Sequence, residues 1–100
     1  MIIEEAGDAY FEAAELAAAH LSLIKYQLWA YEKSADIYIQ IKSIKALFSF
    51  RKVIDYYLKK ENINKAIERC AEYGHRCKND LGDAQKSEEF YNQVDELRRL

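Results

Sequence analysis

The chain has no proline and only three glycines, Gly7, Gly74 and Gly82. Hairpins and tight turns draw heavily on those residues, so an extensive β-sheet is excluded. No apolar run approaches the ~18 residues that a membrane-spanning helix needs. The opening Met-Ile-Ile-Glu-Glu carries acid where a secretory leader carries base. A cytoplasmic protein with no membrane insertion is expected. Cysteine is scarce as well. Cys70 and Cys77 lie seven apart on one expected helix, roughly 10 Å apart at ~1.5 Å rise per residue. A disulfide needs Cα atoms within about 7 Å, so two free thiols are expected. Nor does one sign of charge dominate. With 15 basic and 17 acidic residues the net charge is −2, which gives no nucleic-acid footprint.

Catalytic patterns are missing too. His20 closes an alanine-rich helix, where a cation is favoured by the helix dipole. Cys70, His75 and Cys77 do not form a zinc set, because zinc takes four ligands and position 75 points away from the face shared by 70 and 77. Glu4, Glu5, Asp8, Glu12 and Glu15 lack the Glu-x-x-His motifs of a di-metal bundle. The isolated glycines form no phosphate-binding loop. No enzyme, no metal and no cofactor is expected.

What is abundant is helix-forming: alanine, leucine, glutamate, lysine and glutamine. Half the residues are hydrophobic and 32% are charged, the composition of a folded domain. Apolar spacings of three and four predict five helices, over residues 2–20, 24–39, 43–59, 63–77 and 83–99. In the first helix Ile3, Ala6, Tyr10, Ala13 and Ala17 form one stripe and Phe11, Ala14, Ala18 and Leu21 a second. In the second the stripe is Ile24, Leu28, Tyr31, Ala35 and Tyr38. Ser22, Ser43 and Asn62 are the candidate N-caps. The third helix, with Ile44, Leu47, Phe48, Phe50, Val53, Ile54, Tyr57 and Leu58, is apolar on more than one face and is expected to be buried on two sides. The fourth turns Ile63, Ala66, Ile67, Cys70 and Tyr73 inward, and the fifth Ala84, Phe90, Tyr91, Val94 and Leu97. The rest of the fifth is polar, as a terminal capping helix requires. No glycine or proline marks the breaks near 22 and 41. A single long helix is nonetheless rejected, because the apolar stripe does not keep one phase from 10 to 58.

The helices also repeat. Phe11 and Phe50, and Ile24 and Ile63, stand 39 residues apart at matching offsets, a period proper to helical-repeat folds. The expected organisation is a single domain over residues 1–100: hairpin 2–39, hairpin 43–77 and capping helix 83–99. About two and a half such units fit, where roughly three are needed for stability. The chain is therefore expected to be a segment of a longer array or to pair its open end.

Several strings carry a resemblance. Ala6-Gly7-Asp8-Ala9-Tyr10 with Ala13-Ala14-Glu15-Leu16, then Tyr31-Glu32-Lys33-Ser34-Ala35-Asp36-Ile37-Tyr38, then Lys52-Val53, Tyr56, Asn64-Lys65-Ala66-Ile67-Glu68 and Gly74, resemble the SNAP family. These are soluble adaptors of membrane-fusion machinery. The resemblance implies an all-α fold of TPR-like antiparallel hairpins in a short right-handed superhelix. It also implies an adaptor that bridges a helical partner bundle and an AAA+ ATPase. Lys52 matches a basic partner-contacting position of the family. The closing Asp95-Glu96-Leu97-Arg98-Arg99-Leu100 is similar to the family's acidic-then-leucine tail, which makes Leu97 and Leu100 a C-terminal contact.

The charge pattern adds a candidate surface. Residues 1–15 carry five acids and no base, whereas residues 42–60 carry six bases against Asp55 alone. Lys45, Lys52 and Lys59 recur at seven-residue spacing and should project from one side, with Arg51 beside them. Such a row would attract an acidic, helical protein partner. Alternatively the basic and acidic stretches are solvated faces that pair with each other, or with helix 1 of a second copy. Ile2, Ile3, Phe11, Ala14 and Leu21 exceed what one neighbouring helix covers, which raises a homodimer through helix 1. The rival to the adaptor is a structural segment or self-associating module of a larger solenoid.

Overall fold

The computed structural model describes residues 3–19 and 24–100. Five helices make up those residues, with no strand among them: α1 Ile3–Ala18, α2 Ile24–Gln40, α3 Ala46–Lys59, α4 Ile63–Asn79 and α5 Ala84–Arg98. The all-α expectation holds. The proposed Ser22 cap, His20, Leu21 and Ile2 lie outside the described residues. The expected Asn62 cap is present, its side chain accepting from the Lys65 backbone N–H at 3.2 Å. Asp83 caps α5 in the same way, accepting from Lys86 N–H at 3.0 Å. Both satisfy one of the orphan donors at a helix start.

Ser43 does not start α3. Its Oγ accepts from Lys45 N–H at 3.2 Å, but the next bonds are i→i−3: Ala46 to Ser43, Leu47 to Ile44 and Phe48 to Lys45. A tight 3₁₀-type turn therefore precedes the α-helix. The break before it needs no glycine. Ser43 N–H reaches Tyr38 C=O and Lys42 N–H reaches Ile39 C=O, the paired bonds of a Schellman motif, with Lys42 at φ 54°. The same motif ends α3: Asn62 N–H to Tyr57 C=O, Glu61 N–H to Leu58 C=O, and Glu61 at φ 59°.

The chain divides into two compact units, Met1–Val53 and Ile54–Leu100, so the boundary falls inside α3. In the first unit α1 and α2 are antiparallel. Moving up α1 from Gly7 and Asp8 to Phe11, the partner on α2 moves down from Tyr38 to Tyr31. Phe11 meets Tyr31 edge-on at 5.4 Å. The beginning of α3 runs parallel to α1, because Asp8 faces Lys45 and Glu15 faces Lys52. Ala14, Ala30, Tyr31, Ala35, Tyr38, Leu47, Phe50 and Val53 are buried. Two serines are buried with them. Ser34 Oγ donates to Gly7 C=O at 3.0 Å, so its single proton is committed and the 2.9 Å contact with Ser49 must be donated by Ser49. One polar chain thus ties α1, α2 and α3 together.

In the second unit α4 pairs with α5 across the short loop 80–83. Tyr73 meets Phe90 edge-on at 6.2 Å, and Ala66, Cys70, Cys77, Val94 and Leu97 are buried. Neither Cys70 nor Cys77 is in a disulfide.

Some assigned core positions are corrected. Ile44 and Phe48 are 61% and 62% exposed, whereas their neighbours Ala46, Leu47, Ser49 and Phe50 are buried. Ile3 in α1 and Ala84 in α5 are exposed, as is Ala18. Tyr91 is 41% exposed and lies over Gly74 rather than in the core.

Gly7 and Gly74 serve the same purpose in the two units. A Cβ on Gly7 would sit 2.7 Å from the Tyr38 ring, and one on Gly74 2.9 Å from the Tyr91 ring. Their surroundings differ, since Tyr38 is buried and hydrogen-bonded while Tyr91 is free to swing into solvent. Gly7→Ala should therefore destabilise the chain by about 1–3 kcal/mol through overpacking, despite the better helix propensity of alanine. Gly74→Ala should stay within ~1 kcal/mol of wild type; urea denaturation of both variants checks the contrast. Lys42→Gly and Glu61→Gly should each stabilise by roughly 0.5–1 kcal/mol, since glycine takes positive φ without the Cβ penalty. Thermal melts that shift downward for either would contradict the cap assignment.

Candidate functional site

The acidic stretch of α1 and the basic stretch around α3 meet within the same chain. Lys45 Nζ lies 3.2 Å from Glu4 Oε1 and 3.3 Å from Asp8 Oδ1. Lys52 Nζ lies 3.4 Å from Glu15 Oε1. Asp8 to Lys45 and Glu15 to Lys52 are both steps of 37 residues, as expected for two parallel helices of consecutive repeat units. These side chains are about half-exposed, and pairs so exposed to water are individually weak.

The buried anchor beneath them is stronger. The Tyr38 hydroxyl donates to Asp8 Oδ1, and Lys45 Nζ lies 6.0 Å from the Tyr38 ring centroid. The Tyr38 bond, aided by Lys45 and opposed by partial burial, holds the Asp8 carboxyl below its ordinary range. Burial and the Asp8 carboxylate push the Tyr38 phenol well above its ordinary value. Bonds to Glu4 and Asp8 raise Lys45. Further along, burial and then Glu15 push the Tyr31 phenol up to about 12.

The four basic residues singled out from the sequence are therefore not one equivalent row. Lys45 sits in the turn ahead of α3 and, with Lys52, leans toward α1. Arg51 is exposed in the first unit, and Lys59 is exposed in the last turn of α3, in the second unit. At the other end Leu97 is buried in α5, so of the two leucines assigned to a C-terminal contact only Leu100, 85% exposed, is presented to solvent. Helix 1 is partly covered: Ala14 is buried and Phe11 packs on Tyr31, while Ile3 and Leu16 remain exposed.

Two groups escaped the sequence reading. Trp29, 46% exposed, meets Tyr10 edge-on and Tyr26 at a tilt, each at 5.5 Å. Ile44, in the turn ahead of α3, and Phe48, in its first turn, are large apolar residues left exposed. The apolar excess of the third helix was the signal for the second group. Among the described residues no three His, Cys, Asp or Glu side chains are grouped to hold a metal.

The Asp8–Tyr38 pair sets a pH window. A depressed carboxylate contributes stability that is present above its ordinary value of 3.8 and lost as pH falls through the folded value. A raised phenol contributes stability that is present below its ordinary value of 10.0 and lost as pH rises beyond it. Stability should be flat between these limits with respect to this pair. Tyr38→Phe should flatten both limbs, and phenolate absorbance should show Tyr31 and Tyr38 ionising above the ordinary phenol value of 10.0. Wild-type and Tyr38→Phe melts that fall off identically at both extremes would contradict the pairing.

No curated protein and no solved structure gives a significant match. No helix among the described residues is long and apolar enough to cross a membrane. A family model described as soluble NSF attachment protein, SNAP, matches residues 2–98. With the five-helix repeat geometry already described, that match covers nearly the whole chain, which belongs to the SNAP family.

Proposed function

We propose that the chain is a cytoplasmic protein-binding adaptor, not an enzyme, and that the outer side of α3 receives an acidic helical partner. The observation that carries this reading is the composition of the exposed margin. From Ile41 to Ile54 the chain holds Lys42, Lys45, Arg51 and Lys52 and no acid, and none of these cations is buried. Membership of an adaptor family supports the same reading. On the family's pattern the partner is a helical bundle, and the far end of the chain engages an AAA+ ATPase with Leu100 as its exposed contact.

A second reading is favoured by α1, where Ile3 and Leu16 are exposed. In it the chain packs against another helix, or a second copy, as a segment of a larger solenoid or a homodimer.

Simple charge reversal at Lys45 or Lys52 would break pairs within the chain, so the test keeps one of them. Glu15→Lys with Lys52→Glu preserves the pair in the opposite sense, and Arg51→Glu is added to invert the outer margin. The triple variant should keep wild-type helicity and oligomeric state. Its association rate with an acidic helical bundle should fall about tenfold at low salt, since rim charges act chiefly on the on-rate. Unchanged, salt-insensitive binding would remove α3 as the partner surface.

A further inference from the structure

The α1–α2 hairpin has an apolar edge that α3 does not cover. On α1 the side chains that meet Lys45 and Lys52 are Glu4, Asp8 and Glu15. Ala6, Tyr10 and Ala13 each stand two residues from one of those acids. A step of two is a little over half a helical turn, so they lie on the far side of α1. All three are half-buried. Trp29 and Tyr26 extend this edge onto α2, through the edge-on contact of Trp29 with Tyr10. Nearly half of each of these two rings is open to solvent.

The repeat shows what such an edge receives. A shift of 39 residues carries Ala6, Tyr10 and Ala13 to Lys45, Ser49 and Lys52. Those three are covered by a helical pair: Lys45 and Lys52 meet acids of α1, and Ser49 meets Ser34 of α2 at 2.9 Å. The same positions on α1 have lost both cations, so their cover must be apolar at its centre.

The rim of the edge selects the occupant. The two bases of α2, Lys25 and Lys33, are exposed one turn before and one turn after Trp29, on its side of the helix. The acids of α2, Glu32 and Asp36, are already engaged. On α1 the exposed Glu12 stands one turn before Leu16, which is 71% exposed, and Glu5 lies in the same row. One helix of the edge is thus rimmed with base and the other with acid. Glu5 and Glu12 are seven residues apart and Lys25 and Lys33 eight, roughly 10 and 12 Å along a helix. A surface of that kind is complementary to itself.

We infer that the edge centred on Trp29 is a self-recognition surface, on which a second copy of the chain packs through the same edge. A twofold axis along the helices lays α1 of one copy against α2 of the other. Each Trp29 then covers the alanines of the opposite α1, while Lys25 and Lys33 meet the opposite Glu12 and Glu5. The inference rests on the second reading above and moves its interface from Ile3 to the aromatic edge. A bilayer fits less well, because its anionic plane would meet the acids of α1.

The test uses the full chain and two charge-reversed forms, Lys25→Glu with Lys33→Glu, and Glu5→Lys with Glu12→Lys. All four sites are exposed, so melting and helicity should stay close to wild type. Trp29 is the chain's sole tryptophan, so its emission reports cover at this edge. From micromolar to millimolar concentration, wild type should sediment increasingly as a dimer, with a parallel blue shift of Trp29. Each reversed form alone sets like charges face to face and should dimerise about tenfold more weakly. An equimolar mixture of the two should recover the dimer and the blue shift.

Wild type that stays monomeric with constant emission would refute the second copy as occupant. Dimers that form with Trp29 emission unchanged would refute this surface and leave the self-associating reading intact. A mixture no tighter than its components would refute the charge-matched pairing. A blue shift of monomeric wild type on phosphatidylserine-containing vesicles, without self-association, would assign the edge to a membrane and overturn the proposal.

Discussion

The first unit is organised by the approach of α1 to the aromatic ring of Tyr38. Only a residue without a Cβ allows α1 to lie so close over that ring. The close approach brings the Gly7 carbonyl within reach of Ser34, and it places Asp8 at the Tyr38 hydroxyl. Asp8 also meets Lys45, in the turn that leads into α3. One close backbone approach thus gathers a buried hydroxyl, a phenol and a carboxylate on the seam between α1 and α2.

Much of this fold was legible in periodicity. The stripe Ala66, Cys70, Tyr73 is buried as read, and the Asn62 cap needs nothing beyond a short polar side chain at a helix start. The exact start of α3 was not legible. Ser43 has the composition of an N-cap, yet its oxygen serves a 3₁₀-type turn, because Lys42 takes the left-handed conformation that usually signals glycine. A lysine at such a position is selected by the packing on either side of the turn, and packing leaves no local mark in sequence.

The site shows the same division. Seven-residue spacing placed Lys45 and Lys52 on one side, and the acidic first helix was visible as a counter-charge. Their pairing within the chain depends on α1 and α3 running parallel at a step of 37 residues, a property of topology. Leu97 read as part of a tail motif, but the helical spacing that it shares with Phe90 and Val94 turns it into the core. Where a motif and a burial stripe claim one residue, the stripe prevails, because solvating a leucine costs free energy that a tail contact would first have to recover.

Cys70 and Cys77 give the second unit a chemical property that the first does not have. They are the chain's two thiols, both lie on α4, and neither is exposed. A buried thiol reacts only when its surroundings part. The rate at which an external reagent consumes these thiols is therefore a clock for transient opening of α4 and α5, silent to fluctuations confined to residues 1–53. Because the two sulfurs sit at different distances from the end of α4, the ratio of their labelling rates distinguishes fraying of the helix terminus from concerted separation of the hairpin. Exposure in the second unit can thus be timed without adding a probe, against a first unit that carries no thiol of its own.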